Sequence, residues 1–198
     1  MLIDTELLLK IGGTIHSYKS NDYIFQVDEI PKYYYQIISG DVKLNYNYEN
    51  GKELIQSLLT DGDSVCELLL FVDEAYPVNA VATSECTLIR VPKKEFLKML
   101  DERPSVASVV SKYIATTLAH KLVMMQNMAC VKAEDRIMGT LRYFKSFYHD
   151  KTPFSYELKL TRQQFACITG LRTETVIRWL KKFETSGIVK IIDRKVFY

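Results

Sequence analysis

The stretch that decides the fold is residues 160–190, which read LTRQQFACITGLRTETVIRWLKKFETSGIVK. Thr161 and Gln164 form a capping-box pattern, because each side chain can bond the other residue's backbone N–H at the start of a helix. Gly170 can end this helix in the left-handed conformation. A second helix is predicted from about residue 172 to residue 185. Its apolar face contains Val176, Trp179, Leu180 and Phe183. The pattern therefore predicts two short helices joined by a tight turn.

The opposite edge of the second helix begins with a polar group of side chains, which are Thr173, Glu174, Ile177 and Arg178. In a helix-turn-helix, the first turns of the second helix enter the major groove of DNA. There an arginine can make two hydrogen bonds to guanine, and a glutamate can accept one from the cytosine amino group. Glu174 and Arg178 are four residues apart, so a surface ion pair is the alternative. Because they lie within a helix-turn-helix, we predict base contact.

The C-terminal part of the chain is basic and ends in a predicted hairpin. Residues 131–198 contain 14 Lys and Arg against 7 Asp and Glu, whereas residues 1–130 contain 12 against 17. This asymmetry predicts that only the C-terminal part meets a polyanion. Residues 188–192 and 196–198 have strand character and should pair as a β-hairpin wing. Arg194 and Lys195 are predicted at its tip, where they can touch phosphate.

Residues from about 15 to 91 have the chemistry of short strands. Residues 33–38 are rich in aromatic and β-branched side chains, and residues 42–48 alternate strictly, so one face should be buried. Asn50-Gly51 indicates a hairpin, because both residues tolerate the positive φ angles of a primed turn. Further strands are expected at residues 54–59, 78–83 and 86–91. Strands at this spacing are typical of an antiparallel sandwich or barrel.

A long helix is predicted from Ser105 to about Met128, where no Gly or Pro occurs. About 24 residues make a helix ~36 Å long. One row of this helix alternates at spacings of four and three and consists of Ala107, Ser111, Ile114, Leu118, Lys121, Met125 and Met128. A heptad row is typical of helix pairing. We therefore predict a dimer seam formed by Ile114, Leu118, Lys121, Met125 and Met128. A single buried helix in a monomer is the alternative.

The composition is that of an ordinary globular chain, with 47% hydrophobic and 25% charged residues among 198. No apolar run approaches the ~20 residues of a membrane span. Residues 1–10 read as a first helix rather than a signal peptide, so we expect a cytoplasmic protein without a membrane partner.

The chain has four cysteines, which are Cys66, Cys86, Cys130 and Cys167, and no two of them form a C-x-x-C pair. We expect them to be buried thiols, with a metal or iron–sulfur site as the alternative. The chain lacks a nucleophile elbow, a phosphate-cradling glycine loop and a metal-ligand cluster, which predicts a protein other than an enzyme.

The order of these elements resembles the cAMP receptor protein/FNR (Crp/Fnr) superfamily of bacterial transcription regulators. The resemblance covers nearly the whole chain and is most specific at Leu160-Thr-Arg-Gln-Gln and Glu174-Thr-Val-x-Arg178. Weaker matches are Ser39-Gly-Asp, Gly51-Lys-Glu, Gly62-Asp and Glu67-Leu. The resemblance implies an α+β fold with an N-terminal antiparallel β-barrel, a jelly roll like cyclic-nucleotide-binding domains, at residues 1–103. It implies a dimerisation helix at residues 104–130 and a winged helix-turn-helix DNA-binding domain at residues 131–198.

By this resemblance the protein is a homodimeric transcription regulator that binds double-stranded DNA at a palindrome with TGA-like half-site cores. Glu174 and Arg178 fall on base-reading positions of the family. Thr173 stands where cAMP-type members have arginine, so the reading helix is closer to the FNR type. Arg162 falls on a phosphate-contacting position, which completes a predicted phosphate set of Thr161, Arg162, Arg172, Arg194 and Lys195. The loop at residues 148–155 is a candidate RNA polymerase contact by the same analogy.

The predicted sensor domain departs from the family at its ligand pocket. Cyclic-nucleotide binders hold the phosphate with an Arg-Ser pair, because a buried phosphodiester requires a cationic partner. The corresponding residues here are Tyr76-Pro77. The Thr-Ser pair that meets the adenine aligns with Lys121-Leu122. We therefore expect no cAMP. Any small-molecule effector is expected in a pocket formed by Cys66, Glu67, Leu68, Tyr76, Pro77, Lys121 and Leu122.

Other effectors and functions stay open at this point. No cysteine precedes Cys66, so an FNR-type iron–sulfur cluster is not expected, whereas haem remains open through His16, His120 and His149. Lys121 on the seam would bring two ammonium groups together in a dimer. Either it extends out of the interface, or an anionic effector relieves the repulsion and favours the DNA-binding state. The alternative for the whole chain is a cyclic-nucleotide or other small-molecule sensor with a vestigial DNA-binding domain.

Overall fold

The computed structural model describes residues 2–198, so the first residue of the predicted N-terminal helix lies outside the described residues. The described residues form two compact units, which divide between residues 117 and 118. The division falls within one long helix. The boundaries expected from the sequence, after residues 103 and 130, remain predictions. None of the helices within residues 2–198 has the length and apolarity needed to cross a membrane.

The first unit contains the predicted strands together with short helices. In chain order its elements are α1 (Thr5–Lys10), β1 (Thr14–Tyr18), β2 (Tyr23–Phe25), β3 (Tyr33–Ser39), β4 (Val42–Asn47), β5 (Glu53–Leu59), a 3₁₀ helix (Glu67–Phe71), β6 (Asn79–Ala82), β7 (Cys86–Pro92), α2 (Lys93–Glu102) and the first half of α3 (Pro104–Ala129). The strands form two antiparallel sheets, in the orders β1-β7-β3 and β2-β6-β4-β5. The predicted antiparallel architecture is thereby confirmed.

The two sheets enclose an apolar core, because alternate residues of each strand point to the same face. Buried side chains from both sheets meet there, including Phe25, Tyr35, Val42, Ala80 and Leu88. The sheet of β1, β7 and β3 also buries its other face, where Tyr34 and Ile89 pack against Leu8 of α1 and Phe96 of α2. The rings of Tyr34 and Phe96 are nearly parallel, with centroids 4.1 Å apart. Burial on both faces explains why β3 is rich in aromatic and aliphatic residues along its whole length rather than at alternate positions.

The β4–β5 hairpin has a different turn from the predicted primed turn. Gly51 has a φ of +77°, whereas Asn50 is not among the residues with positive φ. The Gly51 N–H donates to the carbonyl oxygen of Tyr48 at 2.9 Å, and the Tyr48 N–H donates to that of Lys52 at 2.8 Å. This is a type I turn closed by a left-handed glycine, so the prediction for Asn50 was wrong. Asn50 acts through its side chain, whose Oδ1 accepts from the Lys52 N–H at 3.1 Å.

The second unit confirms the predicted winged helix-turn-helix. It contains the second half of α3, α4 (Ala133–Ser146), β8 (Glu157–Leu158), α5 (Arg162–Thr169), α6 (Thr173–Thr185), β9 (Lys190–Ile192) and β10 (Lys195–Phe197). The three strands form a small antiparallel sheet in the order β8-β10-β9. The core joins α4, α5, α6 and this sheet through Ile137, Leu141, Phe165, Val176, Leu180, Phe183 and Val196. A shared core fixes how the reading helix and the wing are oriented together.

Within the second unit, α3 and α4 approach each other closely. A Cβ atom on Gly139 of α4 would lie 2.7 Å from Cγ of Asn127 in α3, so the Asn127 side chain would have to shift if this residue were larger. The His120 ring meets the Phe147 ring edge-on, with centroids 4.8 Å apart. It also meets the Tyr143 ring at 6.0 Å. These contacts hold the C-terminal half of the long helix against α4, the first helix of the DNA-binding domain.

The cysteines occupy two kinds of surroundings. Cys66 and Cys86 are buried in the core between the two sheets, as expected. Cys130 and Cys167 are only half-buried, so the expectation that all four are buried was wrong. Cys130 follows the last residue of α3, where the chain leaves the helix. Apolar neighbours in the sequence therefore did not imply a buried side chain at this position.

Candidate nucleic-acid interface

Helix α6 has one buried face and one exposed face. Its buried face consists of Val176, Leu180 and Phe183, with Trp179 half-buried beside them, as predicted. On the other side Glu174, Ile177 and Arg178 are exposed, and Thr173 is half-buried in the first turn. Ile177 keeps 40% of its surface exposed although it is apolar. The four residues predicted to read bases therefore lie together at the N-terminal part of one helix. Their contacts with bases remain predictions.

The connection that sets α6 against α5 is fixed by local geometry. Thr161 Oγ1 accepts from the Gln164 N–H at 3.1 Å, and Gln164 Oε1 accepts from the Thr161 N–H at 2.9 Å. This is the predicted capping box. Gly170 has a φ of +65° and ends α5 as predicted. Arg172 is the N-cap of α6 with an extended backbone, so the helix begins one residue later than expected. The exposed side chain of Arg172 stays at the positive end of α6.

The tip of the wing is the two-residue turn Asp193-Arg194. Both residues have positive φ angles, 49° and 66°, which is the backbone of a type I′ turn. Lys195 pairs with Ile192 across this turn. Lys195 therefore lies in β10 and not at the tip, which corrects its predicted position. Its Nζ is 3.1 Å from Oε1 of Glu157, whereas the Arg194 side chain is exposed at the tip.

Arg162 connects the helix-turn-helix to the wing. Its Nη2 donates to the carbonyl oxygen of Arg194 at 3.1 Å. Burial lowers the pKa of the Arg162 guanidinium, because partial loss of water disfavours the charged form. The hydrogen bond brings three members of the predicted phosphate set, Thr161, Arg162 and Arg194, into one neighbourhood. Their phosphate contacts remain predictions.

Arg136 is a structural link that the sequence pattern did not single out. Its Nη2 and Nε donate to the carbonyl oxygen of Cys130, at 2.8 and 3.3 Å. Its Nη1 donates to the carbonyl oxygen of Thr169 at 3.3 Å. Cys130 follows α3 and Thr169 is the last residue of α5, so one guanidinium joins the end of the long helix to the helix-turn-helix. Helical periodicity could not reveal this link, because its partners lie 6 and 33 residues away.

The predicted effector-pocket residues of the first unit differ in burial. Cys66, Glu67 and Tyr76 are buried, whereas Leu68 and Pro77 are exposed. The Tyr76 ring stacks on the Phe25 ring, with centroids 3.6 Å apart and 8° between the planes. A packed aromatic ring therefore stands at Tyr76, whose correspondence with the arginine of nucleotide binders remains a prediction. Burial raises the pKa of Glu67, because a carboxylate without water is disfavoured.

The remaining predicted pocket residues, Lys121 and Leu122, belong to the second unit, where Lys121 is half-buried and Leu122 is exposed. Of the predicted dimer seam, Ile114 packs against the core of the first unit, and Met128 is half-buried. Leu118 and Met125 are exposed. An exposed apolar row thus follows this half of α3 through Leu118, Leu122 and Met125, which are 58%, 51% and 63% exposed.

The histidines considered as haem ligands either contact other side chains or lie exposed. His16 Nε2 lies 3.0 Å from Oγ1 of Thr14, and His149 is exposed. His120 packs against the two rings of α4 and its end, as described above. Among residues 2–198, no three His, Cys, Asp or Glu side chains are grouped to hold a metal ion.

Comparison with known proteins agrees with the two-part architecture. Residues 15–103 match the family model of the cyclic nucleotide-binding domain, and residues 118–197 match that of the Crp-like helix-turn-helix domain. The cAMP-activated global transcriptional regulator CRP of Salmonella typhimurium is 30% identical over 178 residues, covering 88% of this chain and 84% of that protein. The c-di-GMP responsive global regulator CLP of Xanthomonas campestris has a similar structure, with a TM-score of 0.80, 19% identity and coverage of 97% and 98%. A CooA mutant from Carboxydothermus hydrogenoformans gives a TM-score of 0.84 at 18% identity, with coverage of 98% and 85%.

Proposed function

Because the chain belongs to the Crp/Fnr superfamily of DNA-binding transcription regulators, we propose that it acts as a homodimer on a palindromic DNA site. Each subunit inserts α6 into the major groove of one half-site. A twofold axis relates the half-sites, whose centres lie about one helical turn, ~34 Å, apart. By the family resemblance, each half-site has a TGA-like core.

The observation that carries this proposal is the exposed edge of α6. A helix that served only to complete a core would have no need of Glu174, Ile177 and Arg178 side by side on its exposed face. The capping box and Gly170 hold this edge at a fixed angle to α5. Intact capping and turn geometry also favour a working DNA-binding domain over a vestigial one, because the capping box begins α5 and Gly170 ends it at the turn that leads into the reading helix.

Each base-reading residue has a role that follows from its chemistry. Arg178 makes two hydrogen bonds to a guanine, and Glu174 accepts one from a cytosine amino group. Ile177 has no polar atom in its side chain, so it reads DNA through contact with the methyl group of a thymine. Thr173 lies in the first turn and takes the outermost position. Together these roles favour a half-site that combines guanine, cytosine and thymine within a few base pairs.

The phosphate contacts come from three places that flank α6. Thr161 and Arg162 lie at the start of α5, Arg172 at the N-cap of α6, and Arg194 at the tip of the wing. Lys195 is next to the tip and keeps 60% of its side chain exposed although it is paired with Glu157. A surface ion pair of this kind is weak, so Lys195 can exchange Glu157 for a phosphate.

Dimerisation through α3 is supported by the exposed apolar row Leu118, Leu122 and Met125. Spacings of four and three residues keep such a row on one side of a helix, as in a coiled coil. Three large apolar side chains in line on the exposed side of a helix are typical of an interaction surface. A second copy of the same helix is the partner that gives the twofold axis required by a palindrome.

Control by an effector other than cAMP is supported by the interior of the first unit. The cited relatives are cAMP-activated and c-di-GMP responsive by name. In this chain, Tyr76 stands at the arginine position and its ring is packed against Phe25. A phosphodiester placed against the Tyr76 ring would lose water there without gaining the bidentate arginine contact by which nucleotide binders hold it, which is unfavourable.

Selection of bound sites from a pool of random duplexes tests this function. The purified full chain should enrich an inverted repeat, and the enriched sequence should show the base preferences assigned to Arg178, Glu174 and Ile177. The selection should be repeated with a small-molecule extract, because an effector is part of the proposal. If no sequence is enriched under either condition, the regulator proposal fails and a sensor with a vestigial DNA-binding domain takes its place.

A further inference from the structure

The first unit contains an open cleft that none of the roles above has used. Its volume is about 370 Å³. Its walls are mostly aromatic and are formed by Phe25, Tyr33, Tyr35 and Tyr76. The remaining lining residues are Glu29, Ile30 and Lys32. Small-molecule sites usually hold roughly 300–1,000 Å³ and combine apolar walls with a few polar groups, and the cleft meets both conditions.

The aromatic walls are rings in contact with one another, so they are held in place before any ligand arrives. The Phe25 ring, on which Tyr76 stacks, lies 6.0 Å from the Tyr35 ring between centroids. Tyr33 meets Tyr35 edge-on at 6.1 Å. The Arg90 guanidinium carbon lies 4.6 Å from the centroid of the Tyr33 ring and steadies that ring in turn. A site that is already ordered loses little conformational entropy when it binds a ligand.

Both charged lining residues lie on the loop between β2 and β3, which is fixed to the rest of the unit. The Tyr76 N–H donates to the carbonyl oxygen of Glu29, and the Asp28 N–H donates to that of Tyr76, both at 2.9 Å. The Lys93 N–H donates to the carbonyl oxygen of Lys32 at 2.8 Å. An anchored backbone therefore presents a carboxylate and an ammonium group three residues apart at one cleft.

Both of these charges are available to a ligand. The side chains of Glu29 and Lys32 are exposed. The Oε1 atom of Glu29 accepts from the Gln26 N–H at 3.2 Å, which holds the loop and leaves the charge in place. Among residues 2–198, neither Glu29 nor Lys32 takes part in an ion pair.

The balance of one charge of each sign decides which kind of ligand fits the cleft. An anion attracted by Lys32 is repelled by Glu29, and a cation meets the opposite pair of forces. A neutral ring uses the walls but neither charge. A ligand with an aromatic ring, an ammonium group and a carboxylate uses every part of the lining, because it makes a charge-assisted hydrogen bond with each charged residue. Burial raises the pKa of Tyr35 to about 12, so its hydroxyl adds no charge at neutral pH.

We propose that this cleft binds a zwitterionic aromatic amino acid, with its ring against the aromatic walls, its ammonium group on Glu29 and its carboxylate on Lys32. In an α-amino acid the two charged groups share one carbon atom, which suits opposite charges close together on one loop. The inference names the ligand class for the effector control proposed above and rests on that function only for the consequence of binding. Binding itself uses only residues of the first unit.

Calorimetric titration of the full chain with L-phenylalanine, 3-phenylpropionate and phenethylamine tests the proposal. The three share a phenyl ring on a two-carbon chain, but the second lacks the ammonium group and the third lacks the carboxylate. L-phenylalanine should bind about tenfold more tightly than either, because each of the others loses one attraction and keeps one repulsion. Equal affinity for all three, tighter binding of either singly charged compound, or no binding of any at millimolar concentration would overturn the proposal.

Two variants assign the charges to their partners. Glu29→Gln keeps an oxygen that can accept from the Gln26 N–H. It should abolish the preference for L-phenylalanine over 3-phenylpropionate but retain the preference over phenethylamine. Lys32→Met should have the opposite effect, with only the preference over phenethylamine lost. A variant of either residue that retained both preferences would show that this residue does not hold the ligand.

Three further variants distinguish the cleft from the charge of the whole protein. Tyr33→Leu should weaken all three compounds alike, since each places its ring on the same wall. Lys19→Met and Glu49→Gln change exposed charges that do not line the cleft, so both should keep the native affinities. Circular dichroism verifies that each variant is folded. Loss of the preference for L-phenylalanine in these two controls would overturn the assignment to the cleft.

The same preparations separate this proposal from the proposed function. Sequence-specific DNA binding is measured on each without ligand and with L-phenylalanine. A protein that binds L-phenylalanine with the predicted dependence on Glu29 and Lys32 but prefers no DNA sequence would contradict the regulator and support the ligand site. A protein that selects a palindrome but fails the titration would support the regulator and overturn the ligand site.

Discussion

Arg178 and Arg194 are both exposed arginines, but their backbone conformations differ. Arg178 lies on the second turn of α6, whereas Arg194 lies at the left-handed tip of the wing. Arg178→Ala should cost about 1–3 kcal/mol at the cognate guanine and relax specificity there. Arg194→Ala should weaken all sequences alike and reduce the slope of log affinity against log salt by about 1.

Fluorescence anisotropy on the selected palindrome and on a scrambled duplex, at several salt concentrations, distinguishes these two roles. Lys98→Ala, on the exposed side of α2, serves as a control that should leave both affinities unchanged. Loss of affinity for the scrambled duplex in Arg178→Ala, as large as for the palindrome, would contradict base reading by this residue.

Ile177 permits a prediction about a single methyl group. Its exposed apolar side chain should contact the C5-methyl of a thymine, and burying one such group is worth about 0.8 kcal/mol. Replacing that thymine by deoxyuridine should therefore weaken binding about fourfold, since 1.4 kcal/mol corresponds to a factor of ten. Deoxyuridine outside the half-site should have no effect. In Ile177→Ala the dependence should disappear, and its persistence would show that another residue meets the methyl.

At the level of elements, the close crossing of α3 and α4 makes a prediction about Gly139. Alanine is favoured over glycine in a helix by about 1 kcal/mol, but here its Cβ would run into Asn127. The atoms it would meet are the far end of a flexible side chain, which can rotate away at little cost, so Gly139→Ala should change the free energy of unfolding by less than about 1 kcal/mol. In an Asn127→Ala background, where no side chain has to move, the same change should raise it by about 1 kcal/mol. Urea denaturation of the four proteins gives this cycle, and additive effects would contradict the contact.

The elements differ in how far their sequence could predict them. The capping box at Thr161 and the helix end at Gly170 are local signals, and the structure agrees with both. The type of the wing turn could not be predicted from the sequence, because Asp193 and Arg194 adopt positive φ angles without a glycine. The position of Lys195 was wrong for this reason: a two-residue turn puts it into β10. The Asn50 error has the same origin, since the choice between hairpin loops depends on the register of the strands.

The site was predictable as a set of positions but not as a set of contacts. The amphipathic pattern of α6 correctly separated Val176 and Leu180 from the exposed Glu174 and Arg178. The links through Arg136 and from Arg162 to the wing could not be predicted, because each joins a side chain to a carbonyl oxygen far away in the sequence. A carbonyl acceptor exists at every residue and leaves no pattern.

On the scale of the whole molecule, the exposed row of α3 predicts how subunits associate. Leu118→Glu should place unpaired carboxylates at the seam of a dimer, at a cost of several kcal/mol. The dimer dissociation constant should rise at least about 100-fold, and affinity for the palindrome should fall with it. Val123→Glu is the matched control, since Val123 is also exposed but lies off the row. Analytical ultracentrifugation gives both constants, and equal effects of the two changes would contradict the seam.

The uneven distribution of charge along the chain matches its division into a sensor-type part and a DNA-binding part. The acidic residues 1–130 contain the sensor-type sheets, whereas the basic residues 131–198 contain every residue assigned to DNA. A DNA-binding domain with net positive charge is attracted to phosphate whatever the base sequence of the DNA. Specificity then depends on the small edge of α6 and on the symmetry that brings two such edges to one duplex.

The most direct test of this account is the affinity of the full chain for its selected palindrome before and after five base pairs are inserted between the half-sites. Half a helical turn moves one half-site to the opposite side of the duplex, where a rigid twofold dimer cannot reach it. The account predicts that affinity falls to nearly that of random DNA. Unchanged affinity for the expanded site would contradict it, because the two α6 helices would then not be reading paired grooves on one face.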